Sequence, residues 1–425
     1  MAARSALATN FEPDVVKIDR NSTLKTLKET LYYLSFPFGF LAFSLPIYGE
    51  KVGATPFQIG LLFSAFSMMT LVVRPILGNL LDKVGRRPFF IGGVAAYALT
   101  DFIFALLQSY PGLVMARVVQ GIAFAFLWLT VYAIISDLSL DGERGLNYGK
   151  VIEAQNRGQI NGAIVGFILI WGLESRFLLG FRIAFLIYFV FGAYAFWQGW
   201  RIDETLGADC GKPVASREKA AGQISRDYFK LLLVTFLTSI SYGMLAPIVI
   251  IFLRQRISGN LIMLAASYVP AAVVWSFLPS RFGRLSDRFG RKRFVVAGLV
   301  AGAVVVALIP RAGSFWFLTG LWVLAAAALT MALPIQQAMV SDLTGDDVRG
   351  RAYGYYALAN DAGNVVGPAV GTWLYGRGQA YPFYLNGFVL LLAGLVVLFF
   401  SRGNGRQTGK AGYYPGSGEY ISKRG

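Results

Sequence analysis

The sequence predicts an all-α membrane protein in which twelve transmembrane helices form two pseudo-symmetric six-helix bundles. Three observations carry that reading. The apolar residues fall into a dozen blocks of about 20, the length a helix needs to cross a bilayer. The basic residues fall into alternate loops, and the second half repeats the polar punctuation of the first.

The elements follow in order. A polar tail, 1–29, has no apolar run ending in small residues and does not read as a cleaved signal. The first bundle, 30–200, holds blocks at about 30–49, 57–80, 88–108, 111–137, 148–171 and 178–200. A polar linker, 201–226, carries Asp203, Glu204, Asp209, Lys212, Arg217 and Lys219. The second bundle, 227–401, holds blocks at about 228–253, 261–280, 294–310, 314–338, 352–375 and 381–401, and a Gly-, Lys- and Arg-rich tail, 402–425, follows. The blocks are long and lack the alternation of a membrane barrel, so helix is the expected state.

Charge supplies the topology. Of 39 Lys and Arg residues, about 28 lie on the side bearing both termini, about seven on the opposite side and about four inside spans. Positive loops stay inside, so both termini are expected in the cytoplasm of a cell-membrane protein. This placement also accounts for the net charge of +16 without a nucleic-acid partner. At 56% hydrophobic and 15% charged, against roughly 25% charged for soluble domains, the composition excludes a soluble enzyme. A single cysteine, Cys210, excludes an internal disulfide, and the absence of histidine removes the commonest metal ligand and near-neutral proton carrier.

The repeat has one offset, 205 residues, held without a gap for about 88 positions. Gly78, Asp82, Gly85 and Arg86 recur as Gly283, Asp287, Gly290 and Arg291. Asp137 recurs as Asp342, and Gly158, Gly162 and Gly166 recur as Gly363, Gly367 and Gly371. Six spans per half is even, so the halves are parallel repeats about an axis along the membrane normal, with a cavity between them that rocking can expose to either side.

The loop from Gly78 to Pro88 joins features with distinct uses. Gly78 admits a close neighbour, Asp82 suits a helix N-terminus, Gly85 permits a reversal, and Arg86 offers a forked donor. With its second copy it resembles the signature loop of the major facilitator superfamily, and the resemblance covers residues 30–401. That resemblance implies a secondary transporter and not an enzyme. It also implies that Asp82 docks near the start of the eleventh span, after Arg351, and that Arg86 pairs with Asp137. Gly78, Asp82, Gly85, Arg86, Asp137, Gly283, Asp287, Arg291 and Asp342 would then form a conformational latch.

Arg117, Gln120 and Gly121 in the fourth span resemble the family's Arg-x-x-Gln-Gly motif, which is implicated in proton coupling. A guanidinium inside a span needs a partner. Asp101 in the third span lies at matching depth, about 10 Å below the surface, as in tetracycline-type exporters. In the fifth span Glu153, Asn156, Arg157 and Asn161 bring charge toward mid-membrane, with Arg74 of the second span within reach of Glu153. Asn360, Asp361 and Asn364 in the eleventh span face the same region, and Gln336, Gln337, Tyr242 and Trp275 are candidates for its wall. Asp101, Arg117, Gln120, Glu153, Asn156, Arg157, Asp361, Asn364 and Arg74 are thus the residues expected to handle substrate or protons. Gly158, Gly162, Gly166, Gly363, Gly367 and Gly371 are expected to pack helices closely. They resemble in part the fifth-span antiporter motif, with its proline absent after Gly162 and present as Pro368.

The expected function is proton-coupled efflux of small amphiphilic or drug-like molecules by alternating access. The alternative is a proton-coupled importer or facilitator of a sugar, organic anion or other metabolite. No phosphate loop of the Gly-x-x-x-x-Gly-Lys-Ser/Thr type is present, so a proton gradient and no cofactor should supply the energy. The expected partners are the substrate, protons and the bilayer, and the expected state is a monomer.

Overall fold

The computed structural model describes residues 19–139, 144–173, 176–205, 225–256, 261–344 and 349–400. Its helices are α1 (Arg20–Leu34), α2 (Phe36–Lys51), α3 (Pro56–Val84), α4 (Arg87–Leu106), α5 (Tyr110–Leu138), α6 (Arg144–Gly172), α7 (Phe177–Gly199), α8 (Arg226–Arg256), α9 (Leu261–Phe289), α10 (Arg291–Leu308), α11 (Phe315–Leu343), α12 (Arg349–Tyr375) and α13 (Tyr381–Leu398). Helices α1 and α2 form one rod bent at Ser35. Pro37 has no amide hydrogen to continue the ladder, and the Ser35 hydroxyl donates to Leu31 O at 2.6 Å. Twelve long rods result. Among the described residues nine, counting α1 and α2 as one, are long and apolar enough to cross a membrane. The other three are α6, α9 and α12, of which α12 carries Asn360, Asp361 and Asn364.

The first rod begins ten residues before the apolar block that announces it. Asp19 caps it, accepting from the amides of Asn21 and Ser22, and Leu27 and Leu31 are buried. An amphipathic turn that packs onto neighbouring helices needs no continuous apolar run. Rod starts in the two halves repeat their chemistry. Ser109 accepts from Gly112 N at the start of α5, and its repeat mate Ser314 accepts from Phe317 N at the start of α11, each at 3.3 Å.

An even number of rods returns the chain to the end where it began; this is the tail end, and the opposite one is the far end. The core divides along this axis. At the tail end, one apolar cluster (Leu31, Phe90, Val131, Ile135) serves the first half, and a separate one (Leu231, Val295, Met339, Val397) serves the second. At the far end a single cluster runs through both halves, from Phe40, Tyr48 and Phe181 to Ile248, Phe252 and Phe383. The halves are therefore fused at the far end and parted at the tail end.

Candidate functional site

The seam between the halves is built by α3 and α12. Near the far end, Cβ atoms added at Gly60 would meet Pro368 O at 2.6 Å, and Ser64 Oγ donates to Val365 O at 2.7 Å. Farther along, Arg74 Nη1 lies 2.8 Å from Asp361 Oδ2, with both side chains largely buried. At that distance the two form a close ion pair across the seam. Beyond it toward the tail end the seam is open. Gly78, on the same face of α3 as Arg74 and Gly60, and Gly354 on α12 have nothing within 4 Å of a Cβ position. The ion pair thus sits where the closed part of the seam gives way to the cleft.

Around it the first half supplies aromatic surface. The Arg74 guanidinium lies 5.8 Å from the Phe124 ring centre, and Phe124 contacts Phe38, Phe66 and Trp128. The second half supplies polar surface: Asn360 Nδ2 donates to Ser239 Oγ at 2.9 Å, and Asn364 Nδ2 donates to Asn360 O at 3.0 Å. Gln336 is buried and accepts from Thr238 Oγ1 at 3.2 Å. Tyr242 and Trp275 are exposed.

Two pairings differ from the sequence expectation. Arg74 meets Asp361, not Glu153, whose carboxylate instead takes Arg157 Nη2 at 2.5 Å on its own helix, both side chains well exposed. Arg117 does not meet Asp101. Its Nε donates to Leu62 O at 3.0 Å, its Nη1 to Gln120 Oε1 at 2.5 Å, and its plane lies 4.5 Å from the centre of Phe66. A backbone carbonyl, an amide oxygen and an aromatic face together satisfy the guanidinium without a carboxylate. Asp101 faces α7, where its Oδ2 is 3.7 Å from the Cβ position of Gly192; it is 1% exposed, and its Oδ1 has no hydrogen-bond partner. Asn156 lies exposed on α6.

The repeated loops hold matching contacts. Arg86 Nε donates to Asp137 Oδ2 at 3.1 Å and Nη1 to Leu81 O at 2.6 Å, while Arg291 Nη1 donates to Asp342 Oδ2 at 2.7 Å and Nη2 meets Asp287 at 3.1 Å. The side chain of Asp82 lies outside the described residues. Gly78 and Gly283 border open space here, in place of the close neighbour expected for the first. The sequence reading did not find Glu204. Its carboxylate accepts from Arg86 N at 2.7 Å and Arg87 N at 3.0 Å, capping α4, and Thr205 donates to Asp137 at 3.2 Å. Gly85 has φ +107°, and a side chain there would also strike the Glu204 carboxylate. An acid just past a span beside a basic loop was the available signal.

The glycine stripes bring backbones together. Gly158 and Gly162 face the backbones of Tyr32 and Phe36, and Gly166 faces Phe40 and Tyr188. Gly363, Gly367 and Gly371 likewise face Phe236, Ile240 and Met244 on α8. No group of three metal-ligating side chains occurs among the described residues.

Comparison with known proteins agrees with this architecture. A sequence model described as Major Facilitator Superfamily matches residues 33–223 and 231–413. Multidrug resistance protein 2 of Bacillus subtilis (strain 168) is 25% identical over 359 residues, covering 81% of this chain and 87% of that protein. Multidrug resistance protein MdtG of Enterobacter lignolyticus (strain SCF1) is 25% identical over 374 residues, 84% of each chain. Among solved structures, the human organic anion transporter MFSD10 (TETRAN) superposes with a TM-score of 0.67 at 18% identity, covering 89% of this chain and all of that one.

Proposed function

The chain belongs to the Major Facilitator Superfamily, an integral membrane transporter of small molecules and not an enzyme, and from that premise we propose that it exports amphiphilic, drug-like molecules in exchange for protons. It does so as a monomer of twelve spans in the cell membrane, with both termini in the cytoplasm and no cofactor. The boundaries are a tail at 1–29, bundles at 30–200 and 227–401, a linker at 201–226 and a tail at 402–425. The relatives named as multidrug resistance proteins support the cargo class.

The observation that carries the reading is the Arg74–Asp361 pair between halves, beside the aromatic wall at the head of the cleft. In the present conformer, open at the tail end, Asp361 is ionised and Arg74 is its counter-charge. Cargo enters from the cytoplasm and lays its apolar body on Phe38, Phe66 and Phe124. Closure of the tail end and opening of the far end bring Asp361 to the outer solution. A proton there neutralises it, frees Arg74 and lets the seam relax as cargo leaves. The protonated seam recloses the far end and releases its proton inside. One charge moved inward at 100 mV supplies about 2.3 kcal/mol, a gradient of roughly fiftyfold. Asp101 and Glu153 are further proton sites, and Arg117, Gln120, Asn156, Arg157 and Asn364 complete the handling residues.

The test is reconstitution in liposomes with an imposed pH gradient. Gradient-driven accumulation of lipophilic cations that stops when the gradient is collapsed is the expected result. Accumulation of sugars or organic anions alone would replace the cargo assignment, and transport indifferent to the gradient would remove the proton.

A further inference from the structure

At the far end a second ion pair joins the halves. Glu50, in the last turn of α2, meets Arg254 Nη1, in the last turn of α8. We infer that this pair is the far-end gate of the transport cycle, a charge clasp that holds the exit shut while the tail end is open. The inference rests on the alternating-access reading above and adds to it the residues that govern the exit.

Several observations point the same way. Each partner comes from a different half, so the pair cannot survive separation of the far ends. The clasp lines a recess of about 330 Å³ with Lys51 and Gln255, and the side chains are 21% and 28% exposed. Water can therefore receive both charges when they part, which a fully buried pair would resist. Glu50 lies at the C-terminal end of its helix, where the dipole disfavours an anion, whereas Arg254 at the end of α8 is favoured. Of the two cations beside Glu50, Lys51 belongs to the same helix and Arg254 alone comes from the other half, so only the Arg254 contact requires the far end to be closed.

The arm that carries Arg254 is braced within its own half. Gln255 Oε1 accepts from Tyr375 Oη at 2.8 Å and from Gln379 Nε2 at 3.1 Å, tying the ends of α8 and α12. Lys51 shares the recess, and the α3–α12 contacts described nearby are uncharged: Gly60 against Pro368 and the Ser64 hydroxyl on Val365 O. Neutral contacts give the far end shape, and the clasp gives it a charge-dependent hold.

The experiment uses the full-length protein with Cys210 replaced by serine and a reporter introduced as Ser64→Cys, which lies in the closed seam. A membrane-impermeant maleimide is applied outside intact cells, and the labelling rate is read. Glu50→Gln and Arg254→Gln should each raise that rate about fivefold, the shift expected from losing a partly exposed pair at the upper end of its usual range. The swap Glu50→Arg with Arg254→Glu should return it to within about twofold of the parent. If the serine position does not tolerate the reporter, Thr372→Cys on the opposite wall serves instead. Unchanged labelling in both single variants, or a swap that labels as fast as they do, overturns the clasp. Labelling that rises with substrate and gradient yet ignores the pair also overturns the clasp and leaves alternating access standing. A reporter silent under every condition, Glu50→Gln included, overturns alternating access itself.

Discussion

Asp361→Asn is the perturbation that bears most directly on the seam. It removes the anion from a pair whose nitrogen and oxygen are 2.8 Å apart and whose side chains are 20% and 11% exposed. Stripping one partner from a fully buried pair is destabilising by about 3–5 kcal/mol. Here residual solvent and the Phe124 face at 5.8 Å soften the effect on Arg74 to about 2 kcal/mol, a factor of roughly 30 against the tail-open conformer. Proton-driven uptake of a fluorescent lipophilic cation into inverted vesicles should fall below about a tenth of the parent rate. Exchange down the cargo's own gradient should persist, because the variant remains folded with only its seam proton site removed. A double-mutant cycle with Arg74→Gln, read by thermal unfolding in detergent, should show coupling above about 1 kcal/mol. Gradient-driven uptake at the parent rate, or coupling indistinguishable from zero, would refute the reasoning.

Other variants probe the surrounding parts. Gly162→Ala drives a methyl into the Phe36 backbone and should lower the unfolding temperature by several degrees, whereas Gly172→Ala, with open space around it, should leave it unchanged or higher. At Gly78 an added Cβ meets nothing in this conformer; Gly78→Ala should keep stability while transport falls, because tail-end closure must bring α12 against that face, and equal loss of both in a melting and transport comparison would contradict this. Glu204→Ala removes the acceptor for two amides at the start of α4 and should be destabilising by about 1–2 kcal/mol, measured by thermal unfolding, with Glu204→Gln recovering part of it. Asp101→Asn breaks no ion pair, so expression and melting should match the parent while the proton-to-cargo ratio drops; an unaltered ratio in paired flux measurements would remove Asp101 from the proton path.

Much of this protein was legible in its sequence. Bilayer thickness sets a length that apolar blocks must meet, and a fixed offset with Asp, Arg and Gly in register reveals duplication. The Arg86–Asp137 pair was implied by the resemblance of the loop to the family signature, and the structure holds it together with its repeat mate Arg291–Asp342. The close approach at Gly158 and Gly162 followed from spacing on one helix face.

What tertiary structure alone decided concerns azimuth and partnership across the halves. Asp101 and Arg117 share a depth, and depth is readable from distance to a span end, but the rotation of each helix is not; they face different neighbours. Arg74 and Asp361 are 287 positions apart and outside the repeat, since their mates are Pro279 and Asn156. Glu50 with Arg254, and Glu204 with the amides of Arg86 and Arg87, likewise join segments whose proximity depends on how whole rods are set against one another. One-dimensional periodicity records which residues can enter a membrane and at what height. Which of them meet is fixed by packing, because a charge takes whatever partner the assembled backbone brings within a few ångströms.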